Sequence, residues 1–359
     1  MNIVLRTGVF AASSFAVCLV CGCSGGNPSF FQQPRPVNPA AKSLLAHLNT
    51  LTTIGSAVDP VSGDQNPYGL AIAPVSSGLV TAGDLIICDF NDGPTNTQGD
   101  GESIVGLHPA PGSAPYRIAH DPTLLGCGAV APNPTNDFVW ATAFNANDVA
   151  IFGPNGSDVA TLTTPTFPWN HPWGQIFGTS AAGVSAFYVS NASDGSVDRV
   201  AVTSSGLGAT TVIATGFSIN SGAPGSILAP SGLTYDPAKD VLYVVDGNAN
   251  AVSAIPNAST ISSAVSASSL HVIASGPPLN GPISSALLPD GDLVVGNTLD
   301  AAGTNLLIEV SPAAGVVATK NVDTGAAGAL FGIVVTGTLA NPKIYFNADN
   351  TNTVVLLSH

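Results

Sequence analysis

The sequence predicts an all-β protein that folds as a six-bladed β-propeller of four-stranded blades. A hairpin pattern recurs along the chain: an apolar strand, an Asn/Asp/Gly turn and a second, alternating strand. A β-hairpin cannot bury both of its faces alone, so repeated hairpins imply sheets that stack and share a core. The clearest copies are Asp137–Phe152, Ala186–Val200, Val241–Ile255 and Lys343–Leu357.

The number and spacing of the copies set the number of blades. Leu85–Asn91 and Leu293–Asn297 are shorter copies, which bring the total to six. Equivalent positions recur every 48 to 55 residues, with one strand before each hairpin and another after most of them. A four-stranded unit of roughly 40–50 residues is typical of a propeller blade. The equivalent positions are Asp89, Ala143, Asn191, Asp246, Asn297 and Ala348.

The last copy reaches the end of the sequence at His359 after only three strands. Leu48–Gly55 resembles the outer strands His271–Gly276 and Thr211–Gly216. We therefore expect this N-terminal strand to pair with the final hairpin and close the last blade, which removes an exposed sheet edge. The alternative is that Leu48–Gly55 is only a linker.

The repeat resembles that of the NHL-repeat family of propellers. The shared pattern is Pro-x-Gly-Leu/Ile, then an apolar strand ending in Asp or Asn, then Asn two residues later. Pro230–Ile255 matches best and Asn66–Asn91 next, and the resemblance extends from Asn66 to Leu357. The fifth copy lacks the glycine, and the arginine usual in the second strand occurs only as Arg199. The resemblance implies the propeller fold and no particular chemistry.

Residues 1–22 are typical of a bacterial lipoprotein signal peptide. Arg6 precedes the apolar run Thr7–Val20, which is too short for a stable membrane-spanning helix but suits a signal-peptide core. Gly22-Cys23 resembles a lipobox, so we expect lipidation of Cys23, although Cys21 departs from the usual pattern. The predicted location is the cell envelope, lipid-anchored, and the outer membrane if the host has two. The alternative is plain secretion.

The chain after the leader divides into a tether and one domain. Residues 23–46 contain small residues and several prolines without a hydrophobic period, so we expect a disordered tether. Residues 47–359 carry the repeats and form the predicted propeller.

The composition restricts the partners. The formal net charge is −14, from 22 acidic and 8 basic residues. Such a chain offers little counter-charge to phosphate backbones, which excludes nucleic acid, and it is not attracted to anionic lipid. The expected partners are a protein, peptide or glycan ligand in the cell envelope, with the membrane reached through the lipid anchor only.

Two cysteines, Cys88 and Cys127, lie in the predicted propeller. Cys88 ends the second strand of the first copy and Cys127 opens the second copy. These two points lie on the same face of adjacent blades, so we expect a disulfide between them in an oxidising compartment. The alternative is a pair of small buried thiols.

One rim of the ring collects the residue before each motif glycine. Three of these residues are large aromatics, Tyr68, Trp173 and Phe331, which are suited to stacking on a sugar or clamping a peptide. His171 precedes the third motif and reaches the same rim. The alternative is that the aromatics wedge between blades. The full set of rim positions is Tyr68, Cys127, Trp173, Ser231, Ile283 and Phe331.

The irregular hairpin of the first copy is rich in hard oxygen ligands. Asp89, Asp92, Asp100 and Glu102 lie within fourteen residues, so calcium is a possible cofactor. The spacing matches no EF-hand, and the alternative is a solvated acidic loop.

Two functional classes remain. The sequence lacks a nucleophile elbow, a zinc-binding His-Glu-x-x-His, a phosphate loop and a dinucleotide fingerprint. This pattern leaves enzymatic activity open and favours a non-catalytic, membrane-tethered extracytoplasmic binding scaffold with a ligand or protein site on the rim. The alternative is a calcium-dependent lactonase or lyase with a metal at the central channel, although Asp236 is the sole acid in the predicted first strands.

Overall fold

Six antiparallel sheets arranged around an axis make up the protein. The computed structural model describes residues 43–359 except residues 135 and 205. The first strand of each sheet contacts the first strands of the two neighbouring sheets, and the sixth contacts the first. The ring is therefore closed, and the predicted six-bladed all-β propeller is confirmed.

Blades 1 to 3 follow one another along the chain, and each first strand lies innermost. Blade 1 comprises β2 (Gln65–Ile72), β3 (Leu85–Asn91), β4 (Ser103–Leu107) and β5 (Tyr116–His120). Blade 2 comprises β6 (Cys127–Pro132), β7 (Val139–Ala143), β8 (Asp148–Phe152) and β9 (Asp158–Leu162). Blade 3 comprises β10 (Pro172–Thr179), β11 (Ser185–Asn191), β12 (Ser196–Thr203) and β13 (Gly206–Thr215), with the short β17 (Val265–Ser266) added in parallel to β13.

Blades 4 to 6 complete the ring. Blade 4 comprises β14 (Pro230–Asp236), β15 (Val241–Asp246), β16 (Ala251–Pro256) and β18 (His271–Ser275). Blade 5 comprises β19 (Pro282–Leu287), β20 (Leu293–Asn297), β21 (Asn305–Ser311) and β22 (Gly315–Asp323). Blade 6 comprises β23 (Ile333–Thr338), β24 (Asn341–Ala348), β25 (Thr353–Ser358) and β1 (Thr50–Ser56). Two 3-10 turns, Ala267–Ser269 and Asp349–Thr351, and the helix α1 (Leu44–His47) complete the elements.

Blade 6 is built from both ends of the domain. β1 pairs antiparallel with β25, with Thr50 opposite Ser358, as the sequence predicts. The folded domain also begins before residue 47, because α1 packs Leu45 into the core between blades 5 and 6. Glu309 holds α1 in place by accepting hydrogen bonds from its first backbone N–H groups. The end predicted for the tether, residue 46, therefore falls inside a packed helix.

The motif glycine allows neighbouring first strands to approach closely. A Cβ on Gly174 would lie 2.0 Å from the carbonyl oxygen of Ser231, and a Cβ on Gly332 would lie 2.6 Å from that of Tyr68. Blade 5 has Ser284 at this position, and its hydroxyl donates a hydrogen bond of 2.7 Å to the Leu330 carbonyl of blade 6. The motif thus reflects packing between blades.

The register corrects one predicted rim position. Pro172 lies opposite Asn191 in blade 3, and Cys127 lies opposite Ala143 in blade 2. Cys127 is therefore equivalent to Pro172, and Gly128 takes the place in blade 2 that Trp173 takes in blade 3. Blade 3 has the same bulge, between Pro172 and Gln175, so the register places Ala129 at the position of Gly174, and Gly128 only resembles the motif glycine.

Candidate functional site

The first strands of the blades surround a funnel along the axis. Each of these strands lies at the edge of its sheet, so its unpaired backbone edge faces the axis. The cavity has a volume of about 480 Å³. Small-molecule sites usually occupy roughly 300–1,000 Å³. The funnel is therefore large enough for a small ligand.

The wall of the funnel is apolar. Its lining includes Leu70, Val130, Phe177 and Ile333, and no Asp, Glu, His, Lys or Arg occurs among the described residues that line it. The side chains of the wall that carry polar atoms are Gln175, Thr234, Ser284, Ser285, Tyr68, Tyr235 and Trp173. Such a wall offers contact area and hydrogen bonds, and it lacks the carboxylates that hard cations prefer and the imidazoles and carboxylates that most acid–base chemistry uses.

One end of the funnel is closed by an aromatic plug, formed by Tyr68, Phe90, Phe144, Trp173 and Phe331. Tyr68 is sandwiched between Phe90 and Phe331, with ring centroids 4.2 and 3.9 Å away. Trp173 packs at 5.7 Å from Tyr68. Tyr68 and Trp173 are buried, and burial raises the pKa of Tyr68. The three aromatics predicted to bind ligand thus lie together, but they contact one another and form the floor of the funnel.

Two loops cover the outer side of the aromatic plug. Residues 92–101 come from the irregular hairpin of blade 1, and residues 216–229 join blades 3 and 4. The loops meet, since a Cβ on Gly99 would lie 3.2 Å from Pro224. Ile227 packs directly among the plug residues. The funnel therefore opens only at the opposite face, where the first strands end.

His171 lies beside the aromatic plug and outside the funnel lining. Its ring centroid is 4.9 Å from that of Phe144, and its Nδ1 is 2.8 Å from the Ser193 hydroxyl. Its backbone has a positive φ of 54°, stabilised by a hydrogen bond from its N–H to Asn147. The packing supports the turn into β10.

The four carboxylates proposed for calcium do not converge in the described part of the chain. Asp89 is fully buried, whereas the Asp92 carboxylate accepts hydrogen bonds from Thr95 and Thr97 of its own loop. The Oε2 atom of Glu102 lies 3.5 Å from the Nε2 atom of His120. No three carboxylates of the set Asp89, Asp92, Asp100 and Glu102 bring ligand atoms within 4.8 Å of one another.

A different acidic group does converge. Ligand oxygens of Asp290, Asp292 and Glu309 lie within 4.8 Å of one another at the end of blade 5 where the funnel opens. Burial raises the pKa of Asp292 and of Glu309. The sequence analysis missed this group because Glu309 comes from a neighbouring strand, and strand register is needed to bring it near the Asp290–Asp292 turn.

Cys88 and Cys127 form a disulfide between blades 1 and 2, with Cα atoms 5.2 Å apart. Other blades use a hydrogen bond at the position of Cys88. The Thr142 hydroxyl donates to the Trp173 carbonyl at 2.9 Å, and the Ser190 hydroxyl donates to the Ser231 carbonyl at 2.8 Å. The disulfide thus takes the place of one hydrogen bond in this series, in which the second strand of each blade is linked to the first strand of the next blade.

The predicted leader and lipidation site, including Cys23, lie outside the described residues. Among residues 43–359 as described, no helix is long and apolar enough to cross a membrane.

Comparison with solved structures identifies other propellers with the same fold. The chain is similar to a gluconolactonase from Xanthomonas campestris, with a TM-score of 0.54, 15% identity, and coverage of 82% of this chain and 87% of that one. It is also similar to virginiamycin B lyase from Staphylococcus aureus, solved with quinupristin, with a TM-score of 0.52, 13% identity, and coverage of 86% and 99%. A chain of a nidogen/laminin complex matches with a TM-score of 0.53, 14% identity, and coverage of 76% and 85%.

The fold is shared. Identities this low establish the six-bladed propeller and leave the activity undetermined. No protein-family model and no curated protein sequence matches the chain.

Proposed function

We propose that the protein is a membrane-tethered extracytoplasmic binding protein that holds a small, largely apolar ligand in its funnel. The observation that carries this proposal is a cavity of about 480 Å³ whose described lining has no charged side chain. Binding of apolar surface is favourable by roughly 25 cal/mol per Å² removed from water. The six free strand edges supply hydrogen bonds that orient the ligand.

The ligand enters from the end of the channel opposite the aromatic rim, where the sequence predicts it to bind. Tyr68 and Trp173 are only 2% and 5% exposed and lie beneath two loops, so a ligand outside the ring does not reach them. From inside the funnel, the same rings form a rigid floor. Stacked rings of this kind lose little conformational entropy when a ligand packs on them.

A calcium-dependent lactonase or lyase is the alternative. This alternative is supported by the shared fold, because the solved gluconolactonase and virginiamycin B lyase are also propellers. The funnel does not fit a hard cation, because the side-chain oxygens on its described wall are only hydroxyls, two phenols and one amide. Binding therefore explains the wall better than metal-dependent hydrolysis.

The membrane tether follows from the sequence pattern around Cys23. We expect labelled palmitate to be incorporated into the wild-type protein in a bacterial host and not into Cys23→Ala. We then expect the variant to leave the membrane fraction, since the diacylated cysteine is the proposed anchor. Membrane retention of unlabelled Cys23→Ala contradicts a lipid anchor.

The funnel is tested with N-phenylnaphthylamine, an uncharged probe whose fluorescence rises in apolar sites. We expect saturable binding to the wild-type protein. Val335 lines the funnel and is half-buried, so Val335→Trp fills the opening and should weaken binding at least about 10-fold, as loss of a well-packed contact does.

Val159→Trp is the matched control because Val159 is exposed on the outer strand of blade 2. Its affinity should equal that of the wild type. Unfolding temperatures of both variants show whether they are folded. Equal binding by the two folded variants, or no saturable binding by the wild type, contradicts the proposed site.

A further inference from the structure

The mouth of the funnel is chemically asymmetric. The turns between first and second strands surround it, one turn per blade. In blades 6, 1 and 3 these turns expose Leu339, Leu79 and Val184. In blades 4 and 5 the same turns are acidic, with Asp236 and Asp240 in one and Asp290 and Asp292 in the other.

A groove of about 480 Å³ extends the funnel toward the acidic side. It is lined by the turns of blades 4, 5 and 6. Leu287 and Val335 belong to the walls of both the funnel and the groove, so the two spaces are continuous. A ligand that fills the funnel therefore reaches the groove without crossing protein.

The groove carries an uncompensated negative charge. Lys239 pairs with Asp236 at 2.8 Å, which neutralises that carboxylate. Asp290 is exposed and has no ion-pair partner in the described chain. Its ligand oxygen lies within 4.8 Å of those of Asp292 and Glu309, which reinforce its potential. The Glu309 carboxylate already accepts hydrogen bonds from the Ser43 hydroxyl and from the N–H groups of Leu44 and Leu45.

We propose that the ligand is a small organic cation, with an apolar body in the funnel and an ammonium group in the groove at Asp290. This inference rests on the proposed binding function of the funnel. The described wall has no basic side chain to repel a cation, and the acidic turns concentrate positive ligands at the mouth. Lys239 also lines the groove, but its ammonium is paired with Asp236, so an anionic ligand of the same shape meets the unpaired charge of Asp290.

Three probes with one apolar body test the charge preference: naphthylethylamine, naphthylethanol and naphthylpropionate. Their affinities for the full-length protein are measured by calorimetry at about pH 7. We expect the amine to bind about 5- to 10-fold more tightly than the alcohol, and the carboxylate more weakly than either. Raising NaCl from about 20 mM to about 500 mM should reduce the advantage of the amine and leave the alcohol unchanged.

Asp290→Asn removes the charge and keeps an oxygen that accepts the N–H of Asp292. We expect the amine to lose its advantage while the alcohol binds as before. Asp158→Asn, which changes an exposed acid at the start of β9, is the matched control and should keep the preference.

Equal affinities of the amine and the alcohol, or a preference that survives Asp290→Asn, overturns the inference and leaves the proposed function standing. Binding of none of the probes overturns the proposed function itself. Tight calcium binding that is lost in Asp290→Asn also overturns the inference, because the acidic group is then a metal site.

Discussion

Asp89 differs from its counterparts because it has lost their hydrogen bonds. The side-chain amide oxygen of Asn191 accepts a hydrogen bond from the N–H of Asn170, and the Asp246 carboxylate accepts hydrogen bonds from the N–H groups of Ser218 and Ala249. In blade 1 the segment equivalent to those that contain Asn170 and Ser218 is part of β2, which begins at Gln65. Both carboxylate oxygens of Asp89 are consequently buried without a hydrogen-bond partner in the described residues. Burial, followed by the charges of Asp64 and Asp59, raises the pKa of Asp89 well above its usual value.

Asp89→Asn should stabilise the protein at alkaline pH. The folded state keeps a proton on Asp89 that the unfolded state releases above about pH 4. The contribution of Asp89 to the stability of the folded protein is therefore present at low pH and is lost as pH rises through the raised pKa. We expect the variant to gain about 1–3 kcal/mol in free energy of unfolding at about pH 8, the range for relieving a buried unpaired group, and nearly nothing at about pH 4.

Urea denaturation at the two pH values measures this difference. Asp100→Asn, half-buried in the same loop, should show a much smaller gain. A loss of stability in Asp89→Asn at both pH values would show that the carboxylate has an essential partner.

Gly174 illustrates how little space separates the first strands. Gly174→Ala places a Cβ 2.0 Å from the Ser231 carbonyl oxygen, which forces blades 3 and 4 apart. We expect a loss of about 3 kcal/mol or more in the free energy of unfolding. Gly128→Ala meets its nearest atom at 3.2 Å and should cost clearly less. Denaturant unfolding of both variants compares them, and equal losses contradict the packing account of the motif.

At the scale of elements, links between neighbouring blades hold the first strands in place. Thr142 and Ser190 supply hydrogen bonds, and Cys88–Cys127 supplies a covalent bond at the equivalent position. The bridge closes a loop of 39 residues between blades 1 and 2. Cross-links of this kind stabilise chiefly by restricting the unfolded chain.

Replacing both cysteines, Cys88→Ser with Cys127→Ser, should lower the free energy of unfolding by about 2–4 kcal/mol. Thr142→Val removes the hydrogen bond of the same series to the Trp173 carbonyl and also the one that Thr142 accepts from the Ala129 N–H, so it should cost about 1–3 kcal/mol. Oxidised and reduced wild-type protein, unfolded in denaturant, supply the reference. If reduction does not alter the wild-type midpoint, the bridge contributes no stability.

Much of the fold, but little of the site, could be predicted from the sequence. The hairpins are visible because Asx and Gly turn residues separate alternating apolar strands, and this pattern is local. The rim position of blade 2 differs from the predicted one by a residue, because Gly128 resembles the motif glycine whereas the register places Ala129 there. The funnel and the acidic group at Asp290 depend on how distant strands approach, which no local pattern records.

At the scale of the whole molecule, several buried carboxyls give the stability a common pH dependence. Burial raises the pKa of Asp148 to about 6, that of Asp198 to about 7 and that of Asp349 to about 6. Asp59 is the opposite case, because hydrogen bonds from Arg117 and Ser62 outweigh burial and lower its pKa to about 2. The folded state therefore binds more protons than the unfolded state over the mildly acidic range.

We expect the protein to be more stable at about pH 5 than at about pH 8, with stability falling as pH rises through the raised pKa values and falling again below about pH 4 as Asp59 is protonated. Thermal unfolding at constant ionic strength measures this as a difference of several degrees. Asp198→Asn should reduce the difference. A midpoint that rises steadily from pH 5 to pH 8 would contradict the assignment of raised pKa values.

Because β1 pairs with β25, blade 6 can form only after the C-terminal strand has been synthesised. Until β25 has been made, β1 has no neighbour, and Leu45 and Leu48 have no finished interior to enter. We expect a chain truncated before Thr353 to leave β1 and β24 without their shared neighbour, and such unpaired strand edges favour aggregation and proteolysis.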